Sequence, residues 1–160
     1  FGTNGAEGTV PEYTSVFYPA GKLASLRTGW DANSVSAFII GRIGGTHAHS
    51  HTNHIGIYAY GRYLLADTGM ASYDSSHPWF NWQRNRKISH NTVEIDGKGP
   101  KSGKTTVSME QNDGMDFYDC TSTENANVPH TRKVTFIKDR KFFIVSDFLE
   151  KTAQRLYRSG

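Results

Sequence analysis

The chain has 160 residues, which suits one domain with a sizeable core and leaves little room for a second. Its formal net charge is only +3 and its basic residues are spread out, which argues against a nucleic-acid-binding protein. No run of about 18 apolar residues is present, so we expect no helical membrane span. Because the chain begins at Phe1 and shows no recognisable leader, we interpret it as a piece of a longer protein.

Short apolar and β-branched runs separated by turn residues recur along the chain, as is typical of β-strands. In the first half the predicted strands are residues 14–19, 22–28, 34–43, 55–60 and 63–67, with Gly61 and Arg62 as a hairpin connection. Residues 68–86 lack clear periodicity and are predicted to form a long functional loop. The later predicted strands are residues 92–96, 105–110, 115–121, 132–138 and 141–149.

This series of roughly ten short strands predicts an all-β fold, an antiparallel β-sandwich of the jelly-roll type. We assign residues 14–160 to the sandwich and the glycine-rich residues 1–13 to a linker or docking arm. The single cysteine, Cys120, cannot form an internal disulfide, and its position in a predicted strand indicates a small core residue.

A histidine cluster is the strongest chemical signal of the sequence. Four of the seven histidines fall within eight residues: His47, His49, His51 and His54. Because side chains alternate along an extended backbone, the first three would project from one face. His54 is out of step with this spacing and can project from the other face. Two or three imidazoles on one face can supply part of the ligand set of a metal ion. A polar, exposed loop that binds no ligand explains the cluster equally well.

Two residues elsewhere can complete such a site. Asp67 follows an apolar run at the end of a predicted strand, where a carboxylate is costly without a cation or a donor nearby. It can also be an ordinary turn former. His90 lies where another strand is predicted to begin, and it can equally be a buried histidine bonded to backbone. One hairpin plus one adjacent strand would bring His49, Asp67 and His90 together.

The same residues carry a resemblance to a known family. Residues 47–51 read HAHSH, residues 57–62 read IYAYGR, residues 64–69 read LLADTG and residues 90–97 read HNTVEIDG. In this order and spacing, over roughly residues 14–100, the motifs resemble those of the heparinase II/III-like polysaccharide lyases and the related alginate lyases.

The resemblance implies a zinc ion of mainly structural role, bound by His49, Asp67 and His90. It also implies that His47 lies near the substrate as a catalytic or charge-stabilising group and that Tyr73 contributes to catalysis. His51 departs from the family pattern, which commonly has an aspartate there. An imidazole cannot accept two hydrogen bonds as a carboxylate can. We therefore expect the hydrogen bonds that support His47 or the metal to be arranged differently in this chain.

Basic and aromatic residues of the predicted loop are candidates for substrate binding. Arg84 and Arg86 can pair with a carboxylate or sulfate through their guanidinium groups, or can form salt bridges within the loop. Trp79, with Trp82 and Phe80, can stack on sugars or pack in the core, and for Trp30 we favour core packing.

The resemblance further implies cleavage of anionic, uronic-acid-containing polysaccharides by β-elimination, by a bacterial lyase that is periplasmic or secreted. Most catalytic groups of such lyases come from an N-terminal α/α-toroid domain. The sequence contains no run of paired amphipathic helices, so we expect the chain alone not to be fully active. Two alternatives stay open: a non-catalytic carbohydrate-binding module and a cupin-type metalloenzyme. Residues 50–61 contain no glutamate, which counts against the cupin.

Overall fold

The computed structural model describes residues 7–42, 49–85, 87–95, 97, 103–124 and 128–150. Within these residues it contains nine strands in two antiparallel sheets, one α-helix and one short 3-10 helix. The predicted all-β sandwich is thereby confirmed. No helix in this part of the chain has the length and apolar character needed to cross a membrane.

The first sheet is built from consecutive strands, in the order β1-β2-β3-β4-β5. Its strands are β1 (Val16–Tyr18), β2 (Leu23–Arg27), β3 (Ser36–Ile40), β4 (His54–Ala59) and β5 (Arg62–Leu65). The β4–β5 turn is formed by Tyr60 and Gly61, with φ of 55° and 74°, as expected for a two-residue hairpin loop of right-handed twist. The predicted connection at Gly61 and Arg62 was therefore wrong by one residue, since Arg62 already pairs with Ala59.

The second sheet is a four-stranded meander in the order β6-β7-β8-β9. Its strands are β6 (Thr105–Asn112), β7 (Met115–Ser122), β8 (His130–Ile137) and β9 (Phe142–Leu149). Buried and less buried residues alternate strictly along β7. This period of two is the pattern of a strand with one face on the core.

The core lies between the sheets and draws buried residues from both. Its members are Ala24, Leu26, Val35, Ala37, Ile39, Ile55, Ala59, Tyr118, Cys120, Val134 and Phe136. Cys120 is fully buried, which confirms its predicted place. The sheets approach closely at Gly41, where a Cβ atom would lie 2.5 Å from the Tyr118 hydroxyl oxygen. Only glycine fits there without displacing Tyr118.

The segment between β5 and β6 differs most from the sequence prediction. The predicted loop contains α1 (Pro78–Asn85), followed by the 3-10 helix η1 (Lys87–Ser89). Pro78 suits the first helical position because it lacks an amide hydrogen, and the His77 Nδ1 atom accepts a hydrogen bond from the Trp79 N–H at 3.2 Å. The strand predicted over residues 92–96 was wrong: residues 92–95 are not in a strand, and residue 96 lies outside the described residues.

The N-terminal segment meets the first sheet at Trp30. Its indole N–H donates to the Tyr13 carbonyl oxygen at 2.7 Å, and the Arg27 guanidinium lies 4.0 Å from the ring centroid. Trp30 is nevertheless 41% exposed, so the expectation of core packing was wrong. Residues 1–6, part of the predicted linker, lie outside the described residues.

Candidate metal centre

Three residues far apart in sequence meet at one end of the first sheet. His49, Asp67 and His90 each offer one ligand atom, and these atoms all lie within 4.8 Å of one another. This is the set expected from the motifs. Imidazole nitrogen and carboxylate oxygen are the donors that divalent transition metals such as zinc accept. The arrangement is therefore a candidate metal site.

Asp67 is held by local backbone geometry just after β5. One carboxylate oxygen, Oδ1, accepts the Gly69 N–H at 2.7 Å, and Gly69 has a φ of 64°, which favours glycine. The other oxygen, Oδ2, lies 2.7 Å from His90 Nδ1. The Asp67 side chain is 37% exposed, whereas the His90 side chain is fully buried. A cation can thus approach from solvent on the Asp67 side.

His90 is positioned by the turn that follows η1. Its backbone N–H donates to the Lys87 carbonyl oxygen at 2.9 Å. The next residue, Asn91, acts as a brace, because its side-chain amide donates to the Ile55 and Ala66 carbonyl oxygens at 3.1 and 3.0 Å. Ala66 immediately precedes Asp67, so Asn91 fixes the His90 segment to the Asp67 segment.

Further histidines surround the three ligand candidates. The His54 Nδ1 atom accepts the Asn91 N–H at 3.1 Å, which leaves Nε2 facing Asp67 Oδ2 at 3.6 Å. The ring centroids of His49, His51 and His54 lie 5.4, 5.9 and 5.8 Å from that of His90. The alternation argument left the direction of His54 open, and no sequence signal placed it beside Asp67.

Electrostatics favour neutral imidazoles at His51 and His54, beside the ionised carboxylate of Asp67. Burial, with neighbouring histidines acting in the same direction, lowers the pKa of His51 to about 4. Burial also lowers the pKa of His54 to about 4, against the opposing charge of Asp67. Burial by itself would raise the pKa of Asp67, but the hydrogen bonds from His90 and the Gly69 N–H outweigh it and hold this pKa far below its usual value. Neutral imidazole and carboxylate are the protonation states that bind metal ions.

Two buried nitrogens support the fit of a cation. The Nε2 atoms of His51 and His90 are buried and have no hydrogen-bond partner among the described residues. An unpaired buried polar atom is costly, and coordination or a bound water would satisfy it. The His51 ring lies beside the ligand candidates, 5.9 Å from the His90 ring, and its Nε2 atom is one of the two unpaired nitrogens.

The other predicted site residues are not gathered around this centre. Tyr73 is 77% exposed, and Trp79 is 55% exposed and makes an edge contact with Trp82 at 5.5 Å between ring centroids. Within the described part of the chain, no hydrogen bond joins either side chain to the histidine cluster. His47 and Arg86 lie outside the described residues, as does the side chain of Arg84 on α1.

Sequence reasoning missed polar residues outside the first sheet that support the centre. Arg132 on β8 donates to the Asn53 and Asn91 carbonyl oxygens at 2.5 and 2.6 Å. Lys87 pairs with Glu124 at 2.5 Å, between η1 and the segment after β7. The one available signal was an arginine in an alternating apolar strand, where a charged inward-facing residue needs partners.

Known proteins share both the sequence pattern and the fold. A heparin-sulfate lyase of Pedobacter heparinus is 27% identical over 152 residues, which cover 92% of this chain and 23% of that protein. The crystal structure of a heparan sulfate lyase of the same organism matches with a TM-score of 0.82 and 25% identity, over 94% of this chain and 24% of its own. The crystal structure of a heparinase III, 20% identical, matches with a TM-score of 0.80 over 91% of this chain and 24% of its own, and shows the fold alone.

The chain thus spans about a quarter of the length of the relatives it matches. The family model of the heparinase II/III-like C-terminal domain matches residues 11–158, nearly the whole chain. The chain therefore belongs to the heparinase II/III-like C-terminal domain family.

Proposed function

We propose that this chain is the zinc-binding β-sandwich portion of a polysaccharide lyase that cleaves uronic-acid-containing polysaccharides by β-elimination. The observation that carries the proposal is the convergence of His49, Asp67 and His90 in a member of this family. Because the relatives are named for heparin sulfate and heparan sulfate, we propose a sulfated, anionic polysaccharide of this type as the substrate.

The three ligand candidates would hold zinc through two nitrogens and one oxygen, which leaves a position for another donor. Bound there, the ion would supply a fixed positive charge that orders the segments carrying the histidines. Asp67 orients the His90 ring through Nδ1, and Asn91 holds both segments at a fixed separation. We therefore assign the ion a mainly structural role.

β-Elimination requires removal of the proton on C5 of the uronic acid, stabilisation of the charge on its carboxylate, and a proton for the leaving oxygen. We propose that His47 and Tyr73 contribute to these steps, Tyr73 from its exposed position in the loop before α1. Arg84 and Arg86 would pair with carboxylate or sulfate groups, and the exposed face of Trp79 would stack on a sugar ring.

The remaining groups are proposed to come from a separate N-terminal α/α-toroid domain, since the relatives are about four times as long as this chain. In this proposal residues 14–160 form the sandwich, residues 1–13 form the connection, and the protein acts in the bacterial periplasm or outside the cell. A coding region directly upstream for a helical domain of about 350 residues would support this organisation.

Metal analysis of the purified chain tests the central part of the proposal. We expect about one zinc ion per chain and its loss in His90→Ala, because this substitution removes one of the three ligands. His77→Ala is the matched control, since His77 lies at the start of α1 outside the cluster. A chain that binds no zinc, or a His90→Ala variant that binds it as the wild type does, would contradict the metal site.

A lyase assay tests whether the chain needs the proposed N-terminal domain for activity. The unsaturated product absorbs in the ultraviolet, so turnover can be followed on heparin, heparan sulfate, chondroitin sulfate, hyaluronan and alginate. We expect no robust turnover of any of the five by the isolated chain, because it is not fully active without the second domain. Robust turnover by this chain alone would contradict the need for a second domain.

One observation keeps a second candidate function, a non-catalytic carbohydrate-binding module. Tyr73, in the loop before α1, and Trp79, in the first turn of α1, expose much of their rings, as sugar-stacking residues do. Such a module would not need the metal cluster. His90→Ala would leave its affinity for heparan sulfate unchanged, whereas Trp79→Ala would reduce it.

A further inference from the structure

A buried arginine connects the second sheet to the candidate metal centre. Arg132 lies on β8 and is only 5% exposed. Its Nε and Nη2 atoms each donate to one carboxylate oxygen of Asp147 on β9, both at 2.8 Å. This two-point pairing fixes the plane of the guanidinium, which leaves Nη1 with a defined direction.

The Nη1 atom donates to two backbone carbonyl oxygens of the metal centre. It lies 2.5 Å from the Asn53 oxygen and 2.6 Å from the Asn91 oxygen. Asn53 directly precedes His54 in residues 49–54, which we call the histidine segment. Asn91 directly follows His90. One nitrogen atom thus joins the two segments that carry the imidazoles.

Neighbouring polar groups hold Asp147 and Asn53 in place. The Asp147 Oδ1 atom also lies 2.7 Å from His130 Nε2, and His130 Nδ1 lies 3.2 Å from the amide nitrogen of Asn53. Since that amide donates, Nδ1 accepts and Nε2 carries the proton given to Asp147. Asn53 is fully buried and has a φ of 63°, a conformation that asparagine tolerates better than most residues.

We propose that Arg132, oriented by Asp147, is a positioning residue of the metal centre: it sets the distance between the histidine segment and His90. This inference rests on the proposed zinc site. Lysine cannot replace Arg132, because one ammonium group lacks the planar donors needed to bind a carboxylate at two points and reach two carbonyl oxygens. Groups that hydrogen-bond to metal ligands contribute about 10–100-fold to metal affinity, and we expect an effect of this order from Arg132, which bonds the backbone beside the histidines.

The test compares zinc affinity in Arg132→Lys and in a matched control, Asp116→Asn. Asp116 is fully buried on β7 and pairs with Lys138 at 2.8 Å, but it lies opposite Phe136, four residues along β8 from Arg132. Each variant changes the buried partner of an ion pair whose other partner is partly exposed. We expect Arg132→Lys to weaken zinc binding by about 10–100-fold, measured by competition with a chromophoric chelator, and Asp116→Asn to leave it within about threefold.

The visible spectrum of bound Co²⁺ reports the geometry of the ligands, and a loss of folding stability alone does not change it. We expect Arg132→Lys to change the energies and intensities of the Co²⁺ bands, and Asp116→Asn to reproduce the wild-type spectrum. Should Arg132→Lys fail to fold, Asp147→Asn serves instead, because it keeps the side-chain shape at a partly exposed position and weakens the bonds that orient Arg132, together with the one from His130 Nε2. The same shifts in affinity and spectrum are expected from it, in smaller measure.

The outcomes separate this inference from the function on which it rests. If the wild-type chain binds neither zinc nor Co²⁺, the metal site and the inference both fail. If the wild type binds and either Arg132→Lys or, in its place, Asp147→Asn retains wild-type affinity and spectrum, only the positioning role of Arg132 is overturned. Equal weakening in Asp116→Asn would overturn it too, since the effect would then follow from general destabilisation.

Discussion

Substituting Asp67 by asparagine isolates the contribution of one negative charge to metal binding. The shape of the side chain is retained, and an amide oxygen can still accept the Gly69 N–H that Oδ1 accepts at 2.7 Å. What is lost is the charge on Oδ2, which faces His90 at 2.7 Å and His54 at 3.6 Å. Two unit charges about 4 Å apart interact by about 4 kcal/mol at the dielectric typical near a protein surface. Zinc carries two positive charges, so this energy is a lower bound. Because each 1.4 kcal/mol is a factor of ten, zinc affinity should fall by at least about a thousandfold.

Isothermal titration of the metal-free chain with zinc measures this change directly. Asp74→Asn is the matched control, because Asp74 lies in the same loop and its Oδ1 accepts the Ser76 N–H at 2.9 Å in a turn of the same kind. We expect the control to bind zinc as the wild type does. An Asp67→Asn variant that is folded by circular dichroism and binds zinc within about threefold of the wild type would refute the reasoning, since a factor of three is only about 0.7 kcal/mol.

Three further predictions concern the stability of the metal-free chain, each measured by urea denaturation. Burial, with Arg132 and Lys87, lowers the pKa of His130 below 6.5 despite the opposing effect of Asp147, so the folded state favours the neutral imidazole while the unfolded chain takes up a proton. The free energy of unfolding should therefore fall as the pH drops below about 6.5, and an unchanged pH dependence in His130→Gln would contradict this. Glu124→Gln should cost about 3–5 kcal/mol, because it leaves the buried ammonium of Lys87 without its carboxylate partner at 2.5 Å; a loss under about 1 kcal/mol would show that the pair is not buried in solution. Phe136→Ala should also cost about 3–5 kcal/mol, since Phe136 is fully buried and stacks on Phe143 at 4.2 Å; the exposed Tyr63→Ala is its control, and equal losses would argue against the core.

The strands were predictable because their signal is local. In β7 and β8 every second residue is buried, and this period of two is visible in the sequence without knowledge of any contact. Residues 92–95 show the limit of the argument. Val93 and Ile95 alternate with polar residues there, but the Asn91 side chain bonds the Ile55 and Ala66 carbonyls, and the Thr92 hydroxyl bonds the Thr52 carbonyl at 2.8 Å. These side-chain hydrogen bonds replace the ladder that a strand would need.

The candidate ligands were predictable for a different reason. His49, Asp67 and His90 lie in short motifs whose order and spacing resemble a known family, so their convergence did not have to be derived from folding. Arg132 lies in no such motif. Its bonds to Asn53 and Asn91 join residues 79 and 41 positions apart, and they depend on how the two sheets face each other. Packing of that kind is not encoded in the periodicity of any one segment.

At this centre the ligands were predictable from the sequence, whereas the residues that hold the ligands in place were not. The ligands belong to segments at the margins of the first sheet, and none of the three lies within a strand or helix. Such segments are not fixed by a strand ladder, so their separation must be set by side chains that reach them from elsewhere. Arg132 on β8 and the pair of Lys87 on η1 with Glu124 after β7 do this through buried charges, which are stable only when fully paired. A metal centre held in this way depends on the packing of the whole sandwich, and a mutation between the sheets should disturb it even where no ligand is touched.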